Sequence, residues 1–550
     1  MKVGEQAAGP PAPAGAALRA WPRQLLQHSA AAPRSGLHPA VRRVAPAAGW
    51  AVGGLVLFAA LLRISLGSPT IADGANPALQ AWDMLHGQVL LHGWIIADAN
   101  YYTLELPLYA ISEAALGLQD LAAHVGSALT YLIIAACAAA VACTRSRGAA
   151  VAARSGVVIA ILAAPLVMRA GVAVLVEEPD HIGTVAFLLG AFLLIDRAPG
   201  RRFTAPLLGV ILWIGQVGDD TVLYLAVPAI LLVAGYRNLA ARKFRTSETA
   251  IGVAAAASVP LAMLTRAVVR HFGAYATVPA PTRISPVGQW PQHLVVTLHA
   301  ILTLFGVQAP ARATALSAAA AAFGLACLMA AAFGFAKVVR RWRSAGWAEQ
   351  LLCVTIVVNL ATYVISTLPN LHNSREIAAV LPCGAVLAAR ALVPSRIGRR
   401  ACARAVVAIA ALAALLPLAA AAVRPPAVPP SVSLAAWLKA HGLRCGLAGY
   451  WDASPVTLES RGQVQVRAVT RKAGAYHAYN WETDLGWYNP SRYDATFVIA
   501  DPPDAWPTED YTAAQFEHYF GHPLAIHRVA GHKILIYGAN LLDRVGPPAR

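Results

Sequence analysis

The stretch WAVGGLVLFAALLRISLGSPTIADGANPALQAWDMLHG, residues 50–87, joins an apolar run directly to a polar, acidic segment. The apolar part is long enough for a membrane span, which needs about 20 apolar residues. The segment 71–87 has no Lys or Arg and carries Asp73, Asn76, Gln80, Asp83 and His86. Polar groups at that depth cost free energy, so we expect this segment to serve chemistry at the surface that the span reaches.

The composition places the whole chain in a membrane. Of its 550 residues 57% are apolar and 13% charged, and the mean hydropathy is +0.54. Such a chain has too little polar surface for a soluble globular protein. The net charge of +17 lies entirely before residue 431, because residues 431–550 carry 11 basic and 11 acidic residues. We therefore interpret the basic residues as topological signals and expect no nucleic-acid partner.

Eleven apolar segments are candidate membrane spans. They cover residues 48–67, 121–143, 155–175, 181–196, 203–218, 220–236, 249–268, 313–337, 348–368, 375–393 and 402–423, and a marginal stretch at 293–306 is re-entrant or an additional half-span. Arg and Lys gather in alternate loops, which the positive-inside rule assigns to the cytoplasm. The loop 68–120 has six acids and no Lys or Arg, so it faces outward. We predict a multi-pass protein of the cytoplasmic (inner) membrane with a cytoplasmic N-terminus and an extracytoplasmic C-terminal domain.

The chain is predicted to have four parts. Residues 1–46 form a disordered basic tail, 47–423 the transmembrane domain with the first outer loop 68–120, and 424–430 a Pro-rich linker. In 431–550, apolar runs at 446–449, 464–469, 495–500 and 534–537 predict strands, a helix is expected at 513–520, and residues 450–452 predict a turn. This alternation predicts a small α/β domain. The fold class is mostly α: a polytopic transmembrane helical bundle of about 11 spans with a small C-terminal extracytoplasmic α/β domain.

Local signals place Asp73 at the start of the first outer loop. Asp73-Gly74 is typical of a turn, and Asn76-Pro77 predicts the N-cap and first-turn proline of a helix that runs through Met84. By residue type alone, Asp73 is either a turn acid or a functional carboxylate.

The motifs after that helix keep a characteristic order. They are Gly93-Trp94, Tyr101-Tyr102 and Glu105-Leu106-Pro107. This order resembles the first outer loop of the GT-C glycosyltransferases, polytopic enzymes that use lipid-phosphate sugars and include the protein O-mannosyltransferases and the aminoarabinose transferases of lipid A. In that family an Asp beyond the first span precedes a helix, a Gly-Trp-type loop and an aromatic, acid-or-Lys and Pro-Pro element. The chain departs from the pattern at Gly74, where the family has Glu, and at Leu106-Pro107, where it has Pro-Pro.

Two later segments carry the same resemblance. In VEEPDHIG, residues 176–183, Asp180 is similar to the acid that opens the family's fourth span, with Glu177 and Glu178 beside it. In NSREIAAVLPCG, residues 373–384, Arg375 and Pro382 are similar to the family's Arg-led late span. The resemblance covers residues 48–393. It implies a GT-C-like fold and transfer of a sugar from a polyprenyl-phosphate donor to a glycan, lipid or protein acceptor.

The implied reaction needs a base and a positive charge. A carboxylate must accept the proton of the acceptor hydroxyl as it attacks the anomeric carbon, and we assign that role to Asp73. The departing lipid phosphate must be met by a cation, for which Arg375, His372 and Arg169 are candidates. Arg169 lies inside a predicted span, where it either faces a functional cavity or snorkels to the headgroups. The candidate substrate-binding residues are Tyr101, Tyr102, Glu105 and Asp83.

A divalent cation is a further expectation. Asp73, Glu178 and Asp180 are candidate ligands for Mg²⁺ or Mn²⁺, because hard cations prefer carboxylate oxygens. Some GT-C enzymes need metal and others do not. The alternative is that residues 177–180 form a solvated loop that caps the fourth span.

Two other functions fit part of the pattern. A multispan transporter or flippase of lipid-linked sugars also has many spans, but such proteins usually contain paired repeats with sites near the midplane. The sequence shows no convincing repeat, and its acids gather at one surface. A membrane-anchored sensor or assembly protein would use 431–550 as a binding module, and the first-loop acids would then be dispensable.

Overall fold

The computed structural model describes residues 39–97, 99–167, 181–242, 244, 246–278, 282–308, 314–370, 374–397, 400–423, 425–502 and 511–548. It divides the chain into two compact units, Met1–Leu55 and Val56–Arg550. The described part of the first unit is the beginning of the first helix, which starts at Pro39, whereas the sequence predicts a disordered tail through residue 46. Apart from the beginning of α1, the features below belong to the second unit.

Helices make up most of the described chain. They are α1 (Pro39–Ser65), α2 (Ala72–Leu85), α3 (Glu105–Leu116), α4 (Asp120–Ala142), α5 (Ala149–Val167), α6 (Thr184–Arg197), α7 (Thr204–Gly218), α8 (Thr221–Ala240), α9 (Thr246–His271), α10 (Trp290–Leu304), α11 (Ala315–Arg340), α12 (Trp347–Ile365), α13 (Val380–Leu392), α14 (Arg400–Ala422), α15 (Pro430–Ala440), α16 (Tyr450–Glu459) and α17 (Ala513–Phe520). Among the described residues, eight helices are long and apolar enough to cross a membrane. This is the architecture of a multi-pass membrane protein, because helices satisfy their own backbone hydrogen bonds in lipid.

Three of the eleven predicted spans are shorter helices. They are α6 with 14 residues, α7 with 15 and α13 with 13. In α13, all residues from Val380 to Ala389 are buried. A helix that is apolar and buried on every side is shielded by neighbouring helices. At its end Arg390 pairs with Asp196 of α6 at 2.8 Å.

The C-terminal part contains the predicted α/β domain. The strands of the chain are β1 (Trp94–Ile96), β2 (Ala276–Thr277), β3 (Cys445–Ala448), β4 (Gln465–Lys472), β5 (Ala475–Ala478), β6 (Thr483–Asp484), β7 (Phe497–Ala500), β8 (Ala525–Val529) and β9 (His532–Ile536). Six of them form a sheet in the order β5-β4-β3-β7-β9-β8, in which β4, β3 and β7 are parallel. The strands predicted near 446–449, 464–469, 495–500 and 534–537 and the helix at 513–520 are present, whereas β5 and β8 are additional.

A second, small sheet ties this domain to the first outer loop. Its order is β2-β1-β6, and β1 belongs to the first outer loop whereas β6 belongs to the C-terminal part. Apolar packing adds to this connection, because Ala72 of α2 lies in one buried cluster with Tyr450 of α16 and Leu434 of α15. The C-terminal domain therefore packs directly on the loop that contains Asp73.

Two local predictions are wrong. Helix α2 begins at Ala72, so Asp73 lies in its first turn, Asn76 is an interior residue and Pro77 lies inside the helix. The helix has therefore already started at Ala72 when the chain reaches Asn76, the predicted cap residue. Residues 450–452 begin helix α16, although the sequence predicts a turn there. In these two helices the side chains of Asn76 and Tyr450 are buried.

Candidate active site

Asp73 projects from the first turn of α2, where a negative charge is favourable beside the helix N-terminus. Its Oδ2 lies 3.7 Å from Nη1 of Arg375, in the short helical turn Ser374–Ile377 before α13. The two side chains are partly open, with exposed fractions of 20% for Asp73 and 35% for Arg375. The structure therefore brings together the predicted base and a predicted phosphate-binding cation from opposite ends of the helical region.

Tyr450 of α16 completes this group from the C-terminal domain. Its hydroxyl lies 2.5 Å from Oδ1 of Asp73 and 2.6 Å from Oε2 of Glu482. Burial and the Glu482 and Asp73 carboxylates raise the pKa of Tyr450 well above its usual value. The phenol thus stays protonated, and its single proton is shared between two carboxylates.

The Glu482 side is buried and polar. Asn76 donates from Nδ2 to Oε2 of Glu482 at 3.1 Å, and Ser454 donates its hydroxyl to the Asn76 carbonyl oxygen. Tyr479 stacks on Tyr450 with ring centroids 4.9 Å apart. These contacts fix the carboxylates and the phenol in one arrangement, as a site that must be preorganised requires.

Glu105 and Tyr101 belong to a different polar cluster. Glu105 is 3% exposed, and burial raises its pKa to about 8. Its carboxyl lies against Gly183, where an added Cβ would be 1.8 Å from Oε1. Nearby, His181 Nδ1 lies 2.9 Å from Asp219 Oδ2, and the ring of Tyr101 meets that of His181 edge-on at 6.3 Å.

Asp219 is the charged member of that cluster. Burial raises its pKa, but His181 and the hydrogen bonds from His181, Thr184 and the Thr221 backbone outweigh burial and leave it lowered. A buried carboxylate that is fully hydrogen-bonded keeps its charge. The cluster therefore combines an ionised acid, Asp219, with a protonated one, Glu105, at neutral pH.

The other two predicted substrate-binding residues make contacts within the first outer loop. Asp83 Oδ2 accepts a hydrogen bond from the Trp94 indole at 2.9 Å, and Tyr102 donates to the Val89 carbonyl at 2.5 Å. Burial raises the pKa of both Asp83 and Tyr102. These contacts stabilise the loop fold on which Asp73 is mounted.

Several predicted residues lie outside the described part of the chain. They are Arg169, Glu178, Asp180 and His372. Of the predicted metal ligands, the structure thus describes only Asp73.

Three residues of the Asp73 group are absent from the sequence prediction of the site: Tyr450, Glu482 and Ser454. Asn76 is noted there only as a helix cap. The sequence signal for Glu482 is its position directly after the aromatic residue Trp481. The sequence predicts that its domain is a separate module, so this signal does not point to the Asp73 site. The contacts join residues more than 370 positions apart in sequence, with separations of 374 for Asn76 to Tyr450 and 377 for Asp73 to Tyr450.

The architecture, a bundle of helices with a small C-terminal α/β domain, matches the GT-C fold. It is similar to the solved structures of ArnT, an aminoarabinose transferase, from Cupriavidus metallidurans. The apo structure has 13% sequence identity, a TM-score of 0.54 and coverage of 91% of this chain and 100% of ArnT. The structure bound to undecaprenyl phosphate has 12% identity, a TM-score of 0.53 and coverage of 91% and 99%. No protein-family profile and no curated protein sequence matches the chain. The predicted GT-C-like fold is confirmed.

Proposed function

We propose that the protein is a membrane glycosyltransferase that moves a sugar from a polyprenyl-phosphate donor to an acceptor hydroxyl at the outer face of the cytoplasmic membrane. The observation that carries this proposal is the contact between Asp73 of the first outer loop and Arg375 of the turn before α13, 3.7 Å apart. A carboxylate and a guanidinium at one partly open position offer both charges that the reaction needs. The acceptor is a glycan, a lipid or a protein.

In the proposed reaction Asp73 is the general base. The acceptor oxygen attacks the anomeric carbon, its proton passes to the Asp73 carboxylate, and the bond from the anomeric carbon to the phosphate oxygen breaks. A single displacement inverts the anomeric configuration. Tyr450 supports Asp73 by donating to Oδ1, which leaves Oδ2 on the side of Arg375. The hydrogen bond holds the carboxylate in one orientation for proton transfer.

Arg375 receives the leaving group in this proposal. A guanidinium binds phosphate through a fixed fork of donors. When no sugar donor is bound, the charge of Arg375 is balanced by Asp73, 3.7 Å away. When the donor phosphate enters, Arg375 pairs with it and can remain close to Asp73, so one cation links the base to the leaving group. The fold likeness to an ArnT structure with bound undecaprenyl phosphate supports the choice of a polyprenyl phosphate. We assign His372 and Arg169 to the same anion.

The remaining loop residues have supporting roles in the proposal. Tyr101 and Glu105, in the buried cluster with His181, and Asp83 and Tyr102, in the loop, shape the wall against which substrates bind. A Mg²⁺ or Mn²⁺ ion held by Asp73, Glu178 and Asp180 remains a prediction, and loss of transfer on chelation with recovery on adding Mg²⁺ or Mn²⁺ would support it. The C-terminal domain packs on α2, where it either handles the acceptor or acts as a lid over the first outer loop.

A transfer assay in proteoliposomes tests the function. The purified protein is reconstituted with polyprenyl phosphates that carry different radiolabelled sugars, together with a membrane extract as acceptor source. We expect label to leave the lipid and enter an acceptor fraction that resists mild acid for one donor, because mild acid cleaves the glycosyl phosphate of the donor. Label that stays on the lipid and only crosses the bilayer would instead identify a flippase. Label that does neither with any donor would contradict both.

A further inference from the structure

The C-terminal sheet holds a cluster of ionisable side chains that the proposed reaction does not use. Asp452 lies in the first turn of α16, Asp501 directly follows β7, and His532 begins β9. One ligand atom from each residue lies within 4.8 Å of the others. His532 Nε2 is 3.2 Å from Asp452 Oδ2.

The sheet topology explains why these residues meet. Strand β3 continues through α16 to β4 on one side, whereas β7 lies on its other side. The carboxyl ends of the parallel strands β3 and β7 thus lie side by side, on the side of β3 away from β4. Ligands of α/β sheets bind beyond the carboxyl ends of strands. Asp452 and Asp501 follow these two strands. Because β9 runs antiparallel to β7, its first residue, His532, lies at the same edge.

The histidine is oriented like a metal ligand. Its Nδ1 lies 3.2 Å from the Ala530 carbonyl oxygen, which can only accept a hydrogen bond, so Nδ1 carries the proton. In the neutral ring, Nε2 then points its lone pair at Asp452. Two electron-rich atoms face each other stably only with a positive charge between them. Metal-bound histidines usually donate their other N–H in this way, and His532 is only 6% exposed.

The composition of the cluster favours a bound cation. Two carboxylates and one imidazole nitrogen gather within 4.8 Å of one another. A cation held between them compensates the negative charge of the carboxylates.

We propose that Asp452, Asp501 and His532 bind one divalent transition-metal ion of the zinc type. One imidazole nitrogen with two carboxylate oxygens suits such an ion, whereas Mg²⁺ and Ca²⁺ prefer oxygen ligands alone. The Asp452 side chain is 22% exposed, which leaves access for a water ligand. The ion fixes the first turn of α16 to β7 and β9. Tyr450 precedes Asp452 by two residues in this turn, so the metal holds the phenol that reaches Asp73.

Zinc binding by the full chain tests this proposal independently of any transfer activity. The protein is purified with a tag that contains no histidines, stripped with EDTA and titrated with ZnCl₂ against a chromophoric zinc chelator. The variants are His532→Gln and Asp501→Asn, and the matched control is His522→Gln, an exposed histidine of the same domain. The apparent melting temperature is recorded with EDTA and with Zn²⁺.

We expect the wild type and His522→Gln to bind one equivalent of Zn²⁺ more than either site variant. If a site variant still binds that equivalent, we expect its affinity for Zn²⁺ to be lower by more than about tenfold. Zn²⁺ should raise the melting temperature of the wild type and the control but not of the site variants, and excess Mg²⁺ should not displace it. Equal zinc binding by folded wild type and both site variants would overturn the proposal. A wild type that binds no zinc would also overturn the proposal, because a proton would then be the positive charge between His532 and Asp452.

Discussion

Asp73 and Glu105 are both acids of the first outer loop, yet their surroundings give them opposite properties. Asp73 is 20% exposed and lies beside Arg375, whereas Glu105 is 3% exposed and has its pKa raised to about 8 by burial. A general base must be ionised and must reach the substrate. Glu105 is protonated at neutral pH and enclosed, so it suits a structural or positioning role. Burial, rather than residue type, separates the two acids.

Removing the cation beside Asp73 should have a large effect. We expect Arg375→Gln to lower the transfer rate by about 100-fold, because the developing charge of the phosphate loses its partner. Binding of undecaprenyl phosphate should weaken as well, as measured by native mass spectrometry. Arg283→Gln removes an exposed cation and serves as the control. Unchanged rate and lipid binding in Arg375→Gln would show that the phosphate lies elsewhere.

Removing the hydroxyl beside Asp73 should have a smaller effect. We expect Tyr450→Phe to lower kcat by about tenfold, the value of roughly one hydrogen bond to a charged group. The carboxylate remains but is less well oriented. The control is Tyr519→Phe, whose hydroxyl bonds the Arg544 carbonyl in the same domain. If Tyr450→Phe and Tyr519→Phe have equal kcat, Tyr450 does not support the base.

The space around Glu105 can be tested by overpacking. A Cβ at position 183 would collide with the Glu105 carboxyl, whereas one at position 190 in α6 meets nothing within 4 Å. We expect Gly183→Ala to destabilise the protein by about 1–3 kcal/mol and Gly190→Ala to have little effect. Apparent melting temperatures in detergent measure the difference. Equal melting temperatures would mean that Glu105 is free to move away and is not enclosed.

The protonation of Glu105 predicts a pH dependence of stability. The folded carboxyl titrates at about 8 and the reference carboxyl at 4.5, so between these values the folded chain keeps a proton that the unfolded chain releases. Stability should therefore fall as the pH rises through this window. Glu105→Gln cannot titrate at this position. The melting temperature of the variant minus that of the wild type should therefore increase between about pH 5 and about pH 8. A constant difference would contradict a protonated Glu105.

Much of the fold follows from the sequence, because membrane spans and alternating strands leave strong local patterns. Each of the eleven predicted spans contains a helix, and α17 matches its predicted limits of 513–520. The short spans α6, α7 and α13 depend on shielding by neighbouring helices, which a hydropathy pattern does not measure. The beginning of α2 at Ala72 is also tertiary in origin, since Ala72 is buried against the C-terminal domain.

The candidate site was predictable only in part. Asp73 and Arg375 could be chosen because the order of the motifs around them resembles that of the GT-C glycosyltransferases. Tyr450 and Glu482 could not, because their role arises from packing of the C-terminal domain on α2. Glu105 is buried against Gly183 in a different part of the chain, although its sequence context looks as functional as that of Asp73. The roles of Tyr450 and Glu482 and the burial of Glu105 depend on contacts between residues that are far apart in the sequence, so local patterns do not predict them.

The most direct test of the central claim compares Asp73→Asn with Glu105→Gln in one transfer assay at neutral pH, with Asp494→Asn as an exposed control. All three substitutions replace a carboxyl by an amide of similar size. We predict that Asp73→Asn lowers the rate by about 100-fold or more, and Glu105→Gln by far less because it imitates the protonated acid. Retention of the wild-type rate in Asp73→Asn would contradict the assignment of Asp73 as the base.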